Sequence, residues 1–247
     1  MRTAGVIIGL LAIAAALHAQ DALTFGDDAA ASLFRTARMN VSGREATVRE
    51  LLSLRMAGAI RIATPDGAEE RGSVEVRVLL PDRYLRIDAT GSATRYSGFD
   101  RDTLLNAIRT RDGVSSTPEL LRGAALQAER RRLAYLLLGA ATYVSRDLSP
   151  VMYSAGYGAG ARVIEGVDAE KKFLLRLAFG DSTLPVRVEY TGGGMTFADR
   201  RMADGLQLPF RITTTGGGGR LVDEIVFDSI RVNGDMSDAD FRISAAR

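Results

Sequence analysis

The sequence predicts an α+β chain that is mostly antiparallel sheet, with helices covering one apolar face. Three observations carry this. Short runs alternate apolar and polar residues with the period of two that sends successive side chains to opposite faces of a strand. These runs follow one another through short turns, the pattern of an antiparallel meander. One long stretch, about 118–141, switches to helical spacing midway along the chain.

In chain order, the first element is a targeting segment. Arg2 precedes an apolar run from Val6 to Leu17, and Ala19-Gln20 offers a cleavage point, so residues 1–19 read as a cleaved secretory signal that delivers residues 20–247 to the periplasm as one domain. Asp27 to Arg38 reads as a helix, with Ala29, Leu33 and Phe34 as its stripe and two aspartates at its positive end. Leu54, Met56, Gly58, Ile60 and Ile62 share one face of a strand that ends at Asp66-Gly67. Val74, Val76, Val78 and Leu80 repeat the period, and Pro81-Asp82 turns the chain into Tyr84–Asp88, where Leu85 and Ile87 alternate with Arg86. A strand follows near Thr94–Phe99. In the long helix, Thr117 is read as the cap, Pro118 as the first helical residue, and the stripe runs from Leu120 to Leu133, Leu136, Leu137 and Ala140. Strands resume at Ala161–Val167, Phe173–Phe179, Val186–Tyr190, Phe210–Thr214 and Leu221–Val232, with glycine clusters 192–194 and 216–219 as hairpin tips.

Composition excludes several chemistries. The chain has no cysteine, and its one histidine, His18, lies inside the signal. A mature product therefore lacks the residues for a Ser-His-Asp triad, a Cys-His pair or a zinc site built on either ligand. Net charge is +2 over the full 247 residues, too balanced for an electrostatic nucleic-acid binder. Lys171 and Lys172 are the only lysines, and Arg130-Arg131-Arg132 is the only dense basic run; it reads as a solvated helix face.

The polar motifs are weak. Gly156 to Ala161 fits a dinucleotide fingerprint by spacing, but a β-like run follows where that motif must open a helix. Asp100-Arg101-Asp102 with Asn106 resembles part of a calcium loop, yet Leu105 occupies the glycine position, so a turn is the plainer reading. Glu165, Asp168 and Glu170 flank a hairpin, and their spacing along the chain does not establish the separation that paired catalytic carboxyls need. No catalytic residue, metal ligand or cofactor is assigned.

A family resemblance emerges from longer stretches. Gly72-Ser73-Val74-Glu75-Val76 through Pro81-Asp82-Arg83-Tyr84-Leu85-Arg86, then Ser97-Gly98-Phe99-Asp100 to Asn106, resembles the paired-strand signature of the periplasmic lipoprotein-localisation (LolA/LolB-like) superfamily. Asp181 to Val186, Asp204 to Phe210 and Val232 to Phe241 are similar to later elements of its outer-membrane lipoprotein-sorting members. The resemblance implies an open half-barrel whose concave apolar face is covered by helices and accepts acyl chains. It departs at Leu80, where the carrier has a lid-holding arginine, at Leu105, where an aromatic is usual, and in the missing lipid-attachment cysteine. Without that arginine the lid is expected to be held only by apolar contact, leaving a weakly gated cavity.

The leading functional expectation is thus a soluble carrier of lipid or lipoprotein acyl chains, with at most transient membrane contact. Its cavity is read as Met56, Ile60, Val76, Val78, Leu85, Ile87, Leu175, Leu177, Val186, Val188 and Ile212, and its lid as Leu80, Leu133, Leu136 and Leu137. An envelope sensor or adaptor binding another protein through its rim or sheet edge is the alternative from a different class. A carboxylate hydrolase is the third.

Overall fold

A computed structural model describes residues 24–44, 48–158 and 161–243; the segment read as a signal lies outside the described residues. Fourteen strands among them form one open, curved, mostly antiparallel sheet, as expected. The first half supplies β1 (Thr24–Phe25), β2 (Ser53–Ala63), β3 (Glu69–Leu79), β4 (Arg83–Thr90), β5 (Thr94–Asp100), β6 (Thr103–Thr110) and β7 (Gly113–Ser116). The second supplies β8 (Val151–Gly158), β9 (Ala161–Val167), β10 (Phe173–Phe179), β11 (Pro185–Tyr190), β12 (Gly193–Ala203), β13 (Leu206–Gly216) and β14 (Leu221–Val232).

The spatial order is β1-β8-β9-β10-β11-β12-β13-β14-β2-β3-β4-β5-β6-β7. Two meanders therefore meet where β14 pairs β2, with Ile225 opposite Ile60 and Asp223 opposite Ile62. β7 and β8 lie near opposite ends of the sheet, so the segment joining them must cross it. That segment is the helix α2 (Arg122–Ala141), about 30 Å long at 1.5 Å per residue. Strand twist curls so wide a sheet around it.

A shorter helix, α1 (Asp28–Ser42), packs beside it against β8 and β13. Asp27 caps α1: one carboxylate oxygen accepts the Ala30 N–H at 2.7 Å, and the other accepts the Ser154 N–H at 2.7 Å, tying the helix start to β8.

Several elements differ from the sequence reading. α2 starts later than 118, after a 3₁₀ turn at Glu119–Leu121, and Thr117 does not cap it. Leu120 is 98% exposed, so the stripe read there covers nothing. The sequence reading assigns no strand to the segments of β6, β7, β8 and β12. Asp100-Arg101-Asp102 is the hairpin turn between β5 and β6, with Arg101 at φ 54°. Gly156 lies within β8, and residues 159–160 of the glycine motif lie outside the described residues.

Candidate functional site

The concave face is built by register. Leu54, Met56, Gly58 and Ile60 of β2 lie opposite Val78, Val76, Val74 and Gly72 of β3. On the other side Ile225 carries the row to Ile212, Ile212 to Phe197, Met195 to Val188 and Val188 to Leu177. Met56, Ile60, Val76, Val78, Leu175, Leu177, Val188 and Ile212 are all buried in one apolar cluster, together with Leu133, Leu136 and Leu137 of α2. The structure thus gathers these eleven residues.

Of the remaining four, three lie elsewhere. Tyr84, Arg86 and Asp88 stand opposite Val78, Val76 and Val74 and face inward, which turns Leu85 and Ile87 to the convex side, opposite Arg77 and Glu75. Leu85 is still fully buried, because the 3₁₀ turn Asp238–Phe241 packs on β4. Alternation in β4 puts Leu85 and Ile87 on one face and Tyr84, Arg86 and Asp88 on the other, so periodicity alone points the apolar row inward, and only the pairing with β3 reverses it. Val186 sits at a register shift between β10 and β11, half-buried beside Gly180 and apart from the cluster. The fourth, Leu80, lies half-buried in the β3–β4 turn and packs against the cluster, its N–H donating to the Leu52 carbonyl at 2.8 Å.

The expectation of a lid without a polar tie is corrected by Arg200 of β12. Its guanidinium donates to the carbonyls of Gly139 (2.7 Å) and Ala140 (3.0 Å) in the last turn of α2, and to those of Pro185 (2.7 Å) and Gln207 (2.8 Å). The two helix carbonyls belong to the group that a helix end leaves without intrahelical partners. Burial lowers the Arg200 pKa to about 10, so the side chain stays charged at neutral pH. Asp199, at φ 54°, bends β12 immediately before it. Arg130 adds a second tie, reaching Asp102 at 2.9 Å and Asp147 at 3.1 Å.

The concave face also holds buried charge that the sequence reading missed. Arg86 donates to both oxygens of Asp88 (2.7 and 3.0 Å) and to Oδ2 of Asp223 (2.8 Å). Arg132 of α2 reaches the same Asp223 oxygen at 3.4 Å. Burial works against the Arg86 charge, but the carboxylates of Asp223 and Asp88 more than offset it and raise its pKa. Nearby on α2, Glu129 is pushed up to about 7, by burial first, with Arg86 opposing and Asp88 reinforcing the shift. Asp223 Oδ1 and Glu129 Oε2 are buried without a hydrogen-bond partner. The signal for this set was weak: charged residues at inward positions of alternating strands, whose pairing depends on β14 lying next to β2.

Beneath α2, Val76, Tyr84, Arg86, Arg132, Leu136, Met195, Ile212, Thr214, Ile225 and Phe227 enclose a void of about 20 Å³. That holds about one water molecule and no acyl chain. Sharing Arg132, Met195 and Thr214 with it, an open groove of about 740 Å³ runs between α2 and strands β10–β14. Its apolar lining includes Tyr135, Leu148, Leu174, Tyr190, Met195 and Val222, and its polar lining includes Arg131 and Arg132. Tyr135 and Tyr190 stack at 4.4 Å between centroids with planes 5° apart. Burial raises both phenol pKa values.

No family model matches the chain, and no curated protein matches it. Among solved structures, a DUF1329 family protein from Desulfovibrio piger shares the fold, with a TM-score of 0.54 and 10% identity over 87% of this chain and 98% of that one. The chain is also similar to a LolA superfamily protein from Nitrosomonas europaea (TM-score 0.48, 14% identity, 87% of this chain and 97% of that one). A third structure, an outer membrane lipoprotein-sorting protein domain from Vibrio parahaemolyticus, gives 0.47 at 9% identity, over 76% and 88% of the two chains.

Proposed function

We propose that the protein is an exported, non-catalytic binding or carrier protein for lipid or lipoprotein acyl chains, taken up in the groove beside α2. The open groove of about 740 Å³ carries this reading: it lies within the range of about 300–1,000 Å³ of ligand sites, and apolar side chains line it beside a smaller set of charged and hydroxyl groups. The sequence supports export through Arg2, the apolar run to Leu17 and the small Ala19. Among the described residues no helix is long and apolar enough to cross a membrane. Burying ten methylenes there releases about 8 kcal/mol before ordering costs, which corresponds to roughly micromolar binding.

The test starts from protein purified out of its native envelope: its organic extract should contain stoichiometric acyl species. Val222 lines the groove and is 40% exposed, so Val222→Glu should fold normally and lose binding of a fluorescent acyl probe, because a chain laid across it would bury an unpaired carboxylate. One observation favours the adaptor reading. β7 is exposed along its whole length and pairs only with β6 among the described residues, leaving an edge for an added strand. Native protein that brings down a stoichiometric protein partner and no acyl species would replace the carrier reading with that one.

A further inference from the structure

We propose that the groove selects an amphiphile with an anionic oxygen head, a carboxylate or a phosphate, seated between Arg131 and Arg132. This deepens the acyl-chain reading and rests on it. Both arginines are consecutive residues of α2 and both line the groove. Arg131 is exposed and makes no ion pair among the described residues. Arg132 has one, the 3.4 Å contact to Asp223 Oδ2, an oxygen that Arg86 already holds at 2.8 Å. Among the described residues the groove lining holds one carboxylate, Asp147, and Arg130 holds it at 3.1 Å.

The charge on the groove walls is therefore unevenly neutralised. Its one acid, Asp147, is taken by Arg130 behind the lining, whereas Arg131 is unpaired among the described residues and Arg132 shares a weak contact. Guanidinium groups present planar pairs of N–H donors that match carboxylate and phosphate oxygens. The hydroxyls of Thr191 and Thr214 line the same groove and add hydrogen-bonding capacity for such a head. Its chain would lie against Tyr135, Leu174, Tyr190 and Met195. A cationic head would meet two like charges, and a neutral one would leave the arginines as they are.

The experiment titrates the protein with four probes that share one saturated chain and differ in head: a carboxylate, a phosphate monoester, a primary alcohol and a quaternary ammonium. The carboxylate or phosphate probe should bind at least tenfold tighter than the alcohol, the ammonium probe should bind most weakly, and added salt should weaken only the anionic probes. Arg131→Gln, at an exposed position, and Arg132→Gln should each reduce the ratio of anionic-probe to alcohol-probe affinity; Arg131→Lys should keep most of it. Whichever anionic probe binds tighter names the head. Equal affinity for the carboxylate, phosphate and alcohol probes, or a preference unchanged in the Arg131→Gln/Arg132→Gln double variant, would overturn the anionic head and leave the acyl groove standing. If none of the four binds, the acyl reading itself fails.

Discussion

Single side chains set how firmly α2 is seated, and Glu129 makes that seating depend on pH. Burial raises its carboxyl pKa from the ordinary 4.5 to about 7, so the folded chain binds this proton more tightly than the unfolded chain does. Its contribution to stability is therefore full below pH 4.5 and is lost as pH rises to about 7, by about 3 kcal/mol at 1.36 kcal/mol per unit. Carboxylates elsewhere such as Glu70 and Glu75, held by arginine side chains, are shifted downward and titrate below this window. Denaturant unfolding of the native chain should show falling stability between pH 5 and 8, and Glu129→Gln should flatten that slope. An identical slope in the variant would show that Glu129 ionises without cost where it sits. Arg200 acts at the same scale: Arg200→Leu removes four charge-assisted hydrogen bonds to carbonyls. It should cost about 3 kcal/mol, since such bonds are not additive. Arg200→Lys should restore only part, because an ammonium lacks the planar fork.

At the scale of elements, α2 is both the crossover of the fold and one wall of the groove. From Leu133 to Ala141 every residue is buried, while the 3₁₀ turn that leads into the helix carries the exposed Leu120 and Leu121. A sequence stripe that runs evenly along both cannot show this difference. Gly139 explains how the helix comes so close to the sheet: a Cβ there would sit 2.0 Å from the Phe197 ring. Gly139→Ala must push α2 away from β12, and overpacking of this kind costs about 1–3 kcal/mol. Faster amide exchange confined to the last turn of α2, with the sheet unaffected, is the expected readout; unchanged exchange would mean that Phe197 swings aside.

For the whole molecule, alternation made most strands legible, because a sheet with one covered face repeats its chemistry every second residue. β2, β9 and β10 emerged nearly at their observed ends. β8 and β12 did not, since glycines break up Val151–Gly158 and a cluster of charges interrupts Gly193–Ala203. The strand order was beyond local reading altogether, for it depends on Asp223 meeting Ile62 across most of the chain. The site divided the same way: its apolar rows were visible as periods, whereas the Arg86–Asp223–Arg132 cluster and the Arg200 tie exist only once distant strands and α2 are assembled.

The most direct test of the central claim, that acyl chains lie in the groove beside α2, is photolabelling with a diazirine-bearing fatty acid followed by mapping of the adducts by mass spectrometry. Adducts should fall on α2 and β10–β12, around Tyr135, Leu174 and Met195, and should disappear in Val222→Glu. Adducts confined to the convex face or to the β7 edge, and unaffected by that substitution, would contradict it.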